Sequence, residues 1–326
     1  MSPREALQAL TAPSKAGAFA LGPELCSGCR LAKTHEGLSA LALAVTPSGT
    51  STPRRLPTLH YDPPRALEIV GDAGRRIESF ATLACRTKDA AIEDAFLRIA
   101  RALLDSPGGG LTEAALERRI DEFVCLFRAL SKPATQTIQA LWCELAVVLW
   151  APEPRVALRA WHSAPPALHA FASGPDRLEV KSCSTGLHDY ALRLEQLHEA
   201  PGGRTLFVSI LADEDDEGST VSDLVGLVLA RVGTDVQLRR HLETTVTRSL
   251  GREWSEAANK RFSLVKARRG LAVYDARDIP TVPGPIPTEV KHVAFTVDLS
   301  GTTPLSRRDA RARGGFFAHM LEPASV

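Results

Sequence analysis

Residues 178–182 read Leu178-Glu179-Val180-Lys181-Ser182, and just before them stands the turn sequence Ser173-Gly174-Pro175-Asp176. Glycine and proline between two β-prone runs predict a hairpin whose second arm is 177–184. Side chains alternate along a strand, so Glu179 and Lys181 share one face while Leu178, Val180 and Ser182 share the other. Leu178 and Val180 then face a core, and a carboxylate and an amine project together at a sheet edge. That pair suits metal-assisted hydrolysis, in which the carboxylate anchors Mg²⁺ and the ammonium steadies the attacking water or the phosphate charge. Glu-x-Lys alone is a weak motif, since chance supplies about one in a chain of this length, and a solvated ion pair explains it equally well.

Upstream, 155–162 and 168–173 read as two further short strands. Before them, 135–150 has helical spacing, with Ile138, Leu141, Leu145 and Val148 on one stripe. Glu144 sits in the middle of this apolar helix, and a carboxylate there needs explaining because buried carboxylates are rare unless paired. Another helix is expected from an N-cap at Thr112 through Leu116, Ile120, Phe123 and Phe127, and another over 90–104. The region 36–85 alternates short apolar runs with turn residues and reads as β-rich. Residues 46–57 form a loop by composition, and 1–35 are weakly patterned and expected to fray. The glycines of 106–110 are followed by no Gly-Lys-Ser/Thr and are no phosphate-binding loop. Downstream, strands are expected at 190–194, 205–211, 270–274 and 292–297, and helices at 220–231 and 236–250.

The chain has 326 residues, 39 Lys+Arg, 38 Asp+Glu and a formal net charge of +1. That balance excludes attraction to nucleic acid by bulk charge, so any basic surface is local. With 44% hydrophobic and 24% charged residues there is enough apolar material for a core, which excludes disorder throughout. The segments group as a β-rich 1–107, a central 108–210 and an α+β 211–326. The start MSPREALQAL lacks the apolar core of a signal peptide, and no apolar stretch is long enough to span a bilayer, so the expectation is no membrane, a cytoplasmic location and reduced thiols. Cys26-Ser-Gly-Cys29 is half of a zinc-ribbon pattern with no second half, readable as loop cysteines or as a metal site.

The order helix, strand, hairpin, strand over 141–197 resembles the PD-(D/E)XK nuclease-like superfamily and, more closely, its bacterial DUF4420 family. The residues that carry the likeness are LeuTrpCysGluLeu at 141–145, Trp161, HisAlaPhe at 169–171, LeuGluValLysSer at 178–182 and GluGlnLeu at 195–197. It extends to ArgIleGluSerPheAlaThrLeuAlaCys at 76–85, to ValTyrAspAlaArgAspIlePro at 273–280 and to ValAlaPheThrValAspLeuSer at 293–300. The resemblance implies an α/β restriction-endonuclease-like core of helix, three-stranded meander, helix and strand. It implies that Glu144 and Glu179 hold Mg²⁺ or Mn²⁺, that Lys181 activates or positions the water, and that Gln196 approaches from the following element. It further implies a bacterial antiviral defence or restriction-type system with DNA as partner, beside ATPase and methyltransferase components.

One position departs from that pattern. Where the family's metal-binding Asp precedes the Phe, this chain has Ala170 in His169-Ala170-Phe171. Asp176 is a candidate to replace the missing ligand, although turn chemistry places it in the hairpin loop. His169 is a poorer one, because adjacent strand residues face opposite sides and Mg²⁺ prefers oxygen.

Two charged runs remain. The acidic run 211–217 lacks calcium-loop spacing and reads as a solvated loop. Arg307, Arg308, Arg311 and Arg313 in the basic segment 306–315 are candidates to track phosphates, with a disordered tail as the alternative. The first functional expectation is a Mg²⁺-dependent DNA endonuclease. The second, motivated by Ala170, is a catalytically silent DNA-binding or scaffold subunit. A third is an interaction protein with no nucleic-acid role.

Overall fold

A computed structural model describes residues 2–46, 51–71, 74–105, 111–162, 168–184, 188–198, 201–287 and 289–322. The glycine run 106–110 and part of the predicted loop 46–57 lie outside the described residues. The chain divides into two compact units: residues 1–135 with 246–255, and residues 136–245 with 256–326. This differs from the three segments read from composition. The helix beginning at Glu113 belongs with the N-terminal strands rather than with the Glu-x-Lys hairpin, because burial of its apolar face, which composition does not register, decides its allegiance.

The first unit contains α1 (Pro3–Ala9), β1 (Phe19–Cys26), β2 (Cys29–Thr34), β3 (Ser39–Leu43), β4 (Val45–Thr46), β5 (Arg54–Arg55), β6 (Leu59–Gly71), β7 (Gly74–Cys85), α2 (Ala90–Leu104), β8 (Leu111–Thr112) and α3 (Glu113–Ala129). Its sheet runs β1-β2-β3-β7-β6-β5, and a further parallel pairing of β1 with β6 closes it on itself. Residues 2–35 are therefore not frayed: they supply a capped helix and two strands. The long strand β6 tolerates Pro63 and Pro64 because the register with β7 shifts between Asp62 and Arg65, where a bulge needs no ladder donor. Phe19, Ala32, Ala40, Ala42, Leu67, Ile69 and Phe80 form one apolar cluster, with alanines beside the large rings. Helices α2 and α3 start at Asp89 and Thr112, whose side chains accept from backbone N–H groups of the first turn. They meet through Phe96 and Phe123, whose ring centroids lie 5.6 Å apart.

The second unit contains α4 (Ile138–Trp150), α5 (Pro154–Ala160), β9 (Phe171–Ser173), β10 (Asp176–Cys183), β11 (Asp189–Arg193), α6 (Leu194–Leu197), β12 (Thr205–Leu211), β13 (Glu214–Ser219), α7 (Val221–Val232), most of α8 (Val236–Leu250), α9 (Trp254–Ala257) only in part, α10 (Leu264–Arg269), β14 (Ala272–Asp275), β15 (Ala294–Asp298), α11 (Arg307–Ala312) and α12 (Gly315–Met320). A mixed four-stranded sheet, β14-β12-β10-β9, is its centre, and β11 pairs with β15 in a separate ribbon. The predicted hairpin is β9–β10, with Ser173 opposite Asp176 and Gly174 at φ +54°, the positive first position that a tight hairpin turn with Gly there demands. Strand β10 runs parallel to β12, so it is central, with neighbours on both edges. Helix α4 packs against it.

Three local expectations are corrected. Residues 155–162 are not a strand: α5 occupies Pro154–Ala160, with Pro154 at its first turn, where proline's fixed φ favours a helix. Only the bridge Trp161–Phe171 remains of the expected first meander strand. The acidic run is partly strand β13, bridged to Phe262. The basic segment is folded into α11, capped by Ser306.

Candidate active site

Glu144 lies on the inner face of α4, between Leu141 and Val148, and its side chain is 8% exposed. A buried carboxylate must find donors. Here Trp161 Nε1 donates to Oε2 at 2.7 Å, Gln136 Nε2 donates at 3.4 Å, and His162 Nε2 lies at 2.9 Å. His162 stands in the left-handed backbone region at φ +43°, just past the C-cap of α5. Its own N–H donates to Ala170 O at 2.9 Å. Burial alone would lower the imidazole's pKa, but the hydrogen bond and charge of Glu144, with the charge of Glu179, outweigh it and raise it. Behind this group, His241 Nε2 lies 2.7 Å from Trp161 O.

Glu179 is equally buried, at the centre of β10. Oε2 accepts from Ala170 N at 2.9 Å, while Oε1 accepts from Gln196 Nε2 at 2.7 Å and pairs with Lys181 Nζ at 3.1 Å. Burial pushes the Glu179 carboxyl's pKa up, Lys181 opposes that, and the charge of Glu144 adds to it. Gln196, brought in by α6, uses its whole amide. Nε2 donates to Glu179 and to Leu168 O, and Oε1 accepts from Arg193 N at 3.0 Å and Lys181 Nζ at 3.4 Å. His169 is buried with Nε2 3.0 Å from Gln196 O, and burial lowers its pKa.

The structure thus joins Glu179, Lys181 and Gln196 directly. It links Glu144 to them through the antiparallel pairing of 161–162 with 170–171. Continuing the β9–β10 register places Ala170 across from Glu179, so its methyl group stands on the same face as the Glu179 side chain. Asp176 is not part of the group. Three residues from Glu179 on the same strand, it projects to the opposite face, where Oδ1 accepts from Arg204 N at 3.1 Å. The four arginines do not form a free basic tail. Arg313 NH2 lies 3.7 Å from buried Asp275, Arg311 donates to Leu321 O, Arg307 reaches Arg268 O at 3.5 Å, and Arg308 is exposed.

His162 is the residue that sequence reasoning missed. Counted as the end of a strand, it carried no signal; Pro154 followed by a helix-compatible run was the available sign that the chain turns there.

A Glu-x-Lys pair with a buried carboxylate on an inner strand of a mixed sheet, with a second carboxylate from the packing helix, defines a mixed α/β protein consistent with the nuclease-like class. The sequence model of the DUF4420 family, described as "Putative PD-(D/E)XK family member", matches residues 24–300, and the chain belongs to that family. No curated protein and no solved structure matches it.

PD-(D/E)XK nucleases generally use divalent metals. The residues present fit such an ion poorly. Position 170, across from Glu179, offers a methyl group and no oxygen, both oxygens of Glu179 accept protein hydrogen bonds, and Oε2 of Glu144 serves Trp161, Gln136 and His162. Among the described residues no group of three His, Cys, Asp or Glu side chains is arranged to hold a metal.

Proposed function

We propose that this chain is a PD-(D/E)XK-fold DNA-binding or scaffold subunit of a bacterial antiviral defence or restriction-type system, with its hydrolytic site silent as built. The observation that carries the reading is Ala170: the position across from Glu179 holds no carboxylate, and its backbone N–H is given to Glu179 instead. Mg²⁺ needs near-octahedral oxygen ligation, and losing even an outer partner of a metal site typically costs about 10–100-fold in affinity or activity. Glu179 and Lys181 then act as a partly buried ion pair that Gln196 locks between strand and helix. DNA is the partner in this reading, with ATPase and methyltransferase components beside it in a cytoplasmic assembly. Exposed Arg308 is the arginine of its segment left to meet phosphate.

A second reading, a Mg²⁺- or Mn²⁺-dependent DNA endonuclease, is favoured by retention of Glu144, Glu179 and Lys181 together in one unit. One experiment separates the two. Plasmid and linear DNA are incubated with Mg²⁺ or Mn²⁺ and wild type, Lys181→Ala or Ala170→Asp, while salt-dependent DNA binding is followed by anisotropy. The silent reading expects binding without cleavage in wild type and a gain of Mn²⁺ affinity, read by calorimetry, in Ala170→Asp. Wild-type cleavage lost in Lys181→Ala establishes the endonuclease instead. Absence of DNA binding sinks the DNA-binding form of the proposal.

A further inference from the structure

Outside the site, the first unit carries a cysteine pair that the proposed function does not use. Cys26 ends β1 and Cys29 begins β2, and the two are direct cross-strand partners around the two-residue turn Ser27-Gly28. Gly28 takes φ +75°, which lets the turn close this tightly. The turn is held from several sides. Gly28 N donates to Glu24 Oε1 at 2.9 Å, Ser27 N to Asp105 Oδ1 at 3.3 Å, and Ala44 N to Gly28 O at 2.9 Å. Directly opposed residues of an antiparallel pair point to one face with Cα atoms about 4.5–5.5 Å apart. A disulfide needs about 4.4–6.8 Å, so the backbone is already placed for one.

The two thiols are unequal. Cys29 is 1% exposed, whereas Cys26 is half-buried and within reach of small solutes. The hydrogen bond with Cys26, and then burial, hold the Cys29 thiol far above its usual pKa, with the charges of Cys26, Glu24 and Asp105 adding to this. Cys26 is the more accessible of the two sulfurs, so it is the one that meets an oxidant first.

We propose that Cys26 and Cys29 are a redox-active dithiol that closes to an intramolecular disulfide when a hydroperoxide oxidises Cys26. The Cys26 thiolate attacks one peroxide oxygen, forming an S–O bond as the O–O bond breaks and hydroxide leaves. The Cys29 sulfur then attacks the Cys26 sulfenic acid. The S–S bond forms, the S–O bond breaks, and water leaves with the Cys29 proton. Two thiols lose two electrons and two hydrogens, and hydrogen peroxide becomes two waters. A structural cysteine pair makes no such demand on an external oxidant, and a metal half-site would need ligands from elsewhere.

The test uses the full chain carrying Cys125→Ser, which removes the exposed thiol that would form intermolecular disulfides. Reduced, chelator-washed protein is treated with hydrogen peroxide, blocked with iodoacetamide and mapped by mass spectrometry. The expected result is loss of two alkylatable thiols, restored by dithiothreitol, with the 26–29 link in one peptide. Cys29→Ser should leave a Cys26 sulfenic acid that dimedone traps, and Cys26→Ser should leave Cys29 unmodified under the same dose. Circular dichroism confirms that each variant is folded. Both thiols remaining alkylatable in folded wild type, or Cys26 passing to sulfinic acid with Cys29 still free, overturns the proposal.

Discussion

The middle strand of each principal sheet is buried, but the two strands bury different things. In the first unit β3 is Ser39-Ala40-Leu41-Ala42-Leu43, buried throughout and apolar after its first residue. In the second, β10 carries Glu179 between Leu178 and Val180 at comparable burial. Beyond Ser39, whose hydroxyl donates to Glu93, the first strand asks for matching shapes: its alanines fit beside Phe19 and Phe80. The second must also answer a charge, and it does so with the backbone N–H of Ala170 just before β9, the Gln196 amide from α6 and the Lys181 ammonium of β10 itself. A sheet that spends polar groups this way has a reason other than packing, and the contrast separates a supporting unit from one that holds a site.

The sharpest way to break that contrast is volume in the first sheet. Leu83→Ala, at a residue with no exposure on β7, is expected to cost about 4 kcal/mol in urea denaturation, as for buried leucines that leave a cavity. A loss under about 1 kcal/mol there would mean the sheet is not packed as described. Next comes charge in the second sheet. Lys181→Ala leaves Glu179 buried without its cation and should cost about 3 kcal/mol, toward the lower end for a broken buried pair because the lysine keeps 22% exposure. Lys181→Ala combined with Glu179→Gln should recover part of that loss, which a purely steric role for Lys181 would not allow.

The smallest effect probes the sheet's edge. Asp275 on β14 is buried and bound by Arg277 through Nε at 2.9 Å and NH2 at 2.7 Å. The Arg277 hydrogen bond, against burial and with help from Arg313, holds its carboxyl below the usual range. A depressed folded pKa stabilises fully above the unfolded value of about 3.9 and is lost as pH falls through the folded value. Asp275→Asn should therefore cost about 2 kcal/mol at neutral pH and progressively less in acid, with wild type and variant converging once the pH has fallen through the lowered folded pKa of Asp275. Parallel stability curves would show that Asp275 is held by packing alone.

Much of the second unit was legible. The Ser-Gly-Pro-Asp turn announced β9–β10, because that chemistry is local. The apolar stripe with a single interior Glu announced α4, and alternation put Glu179 and Lys181 on one face. What failed was whatever depended on partners. Residues 155–162 have the short apolar spacing of a strand, yet the proline at their start and the packing of α5 made a helix, and His162 was hidden with it. Residues 1–35 look idle because their apolar positions follow no clear period, and only pairing with β3 and β6 gives β1 and β2 their ladder.

The sequence by itself determined the turns, the capped helices, the face shared by Glu179 and Lys181, and the absence of a carboxylate at position 170. These follow from backbone geometry and residue identity within a few positions of the chain. The tertiary structure alone decided that Asp176 points away, that Gln196 spends its whole amide at the centre, that His162 answers Glu144, and that the arginines of 307–313 are largely engaged within the chain. Such choices depend on which donors and acceptors distant segments bring into burial, and a polar group removed from water takes the partner that folding puts within reach.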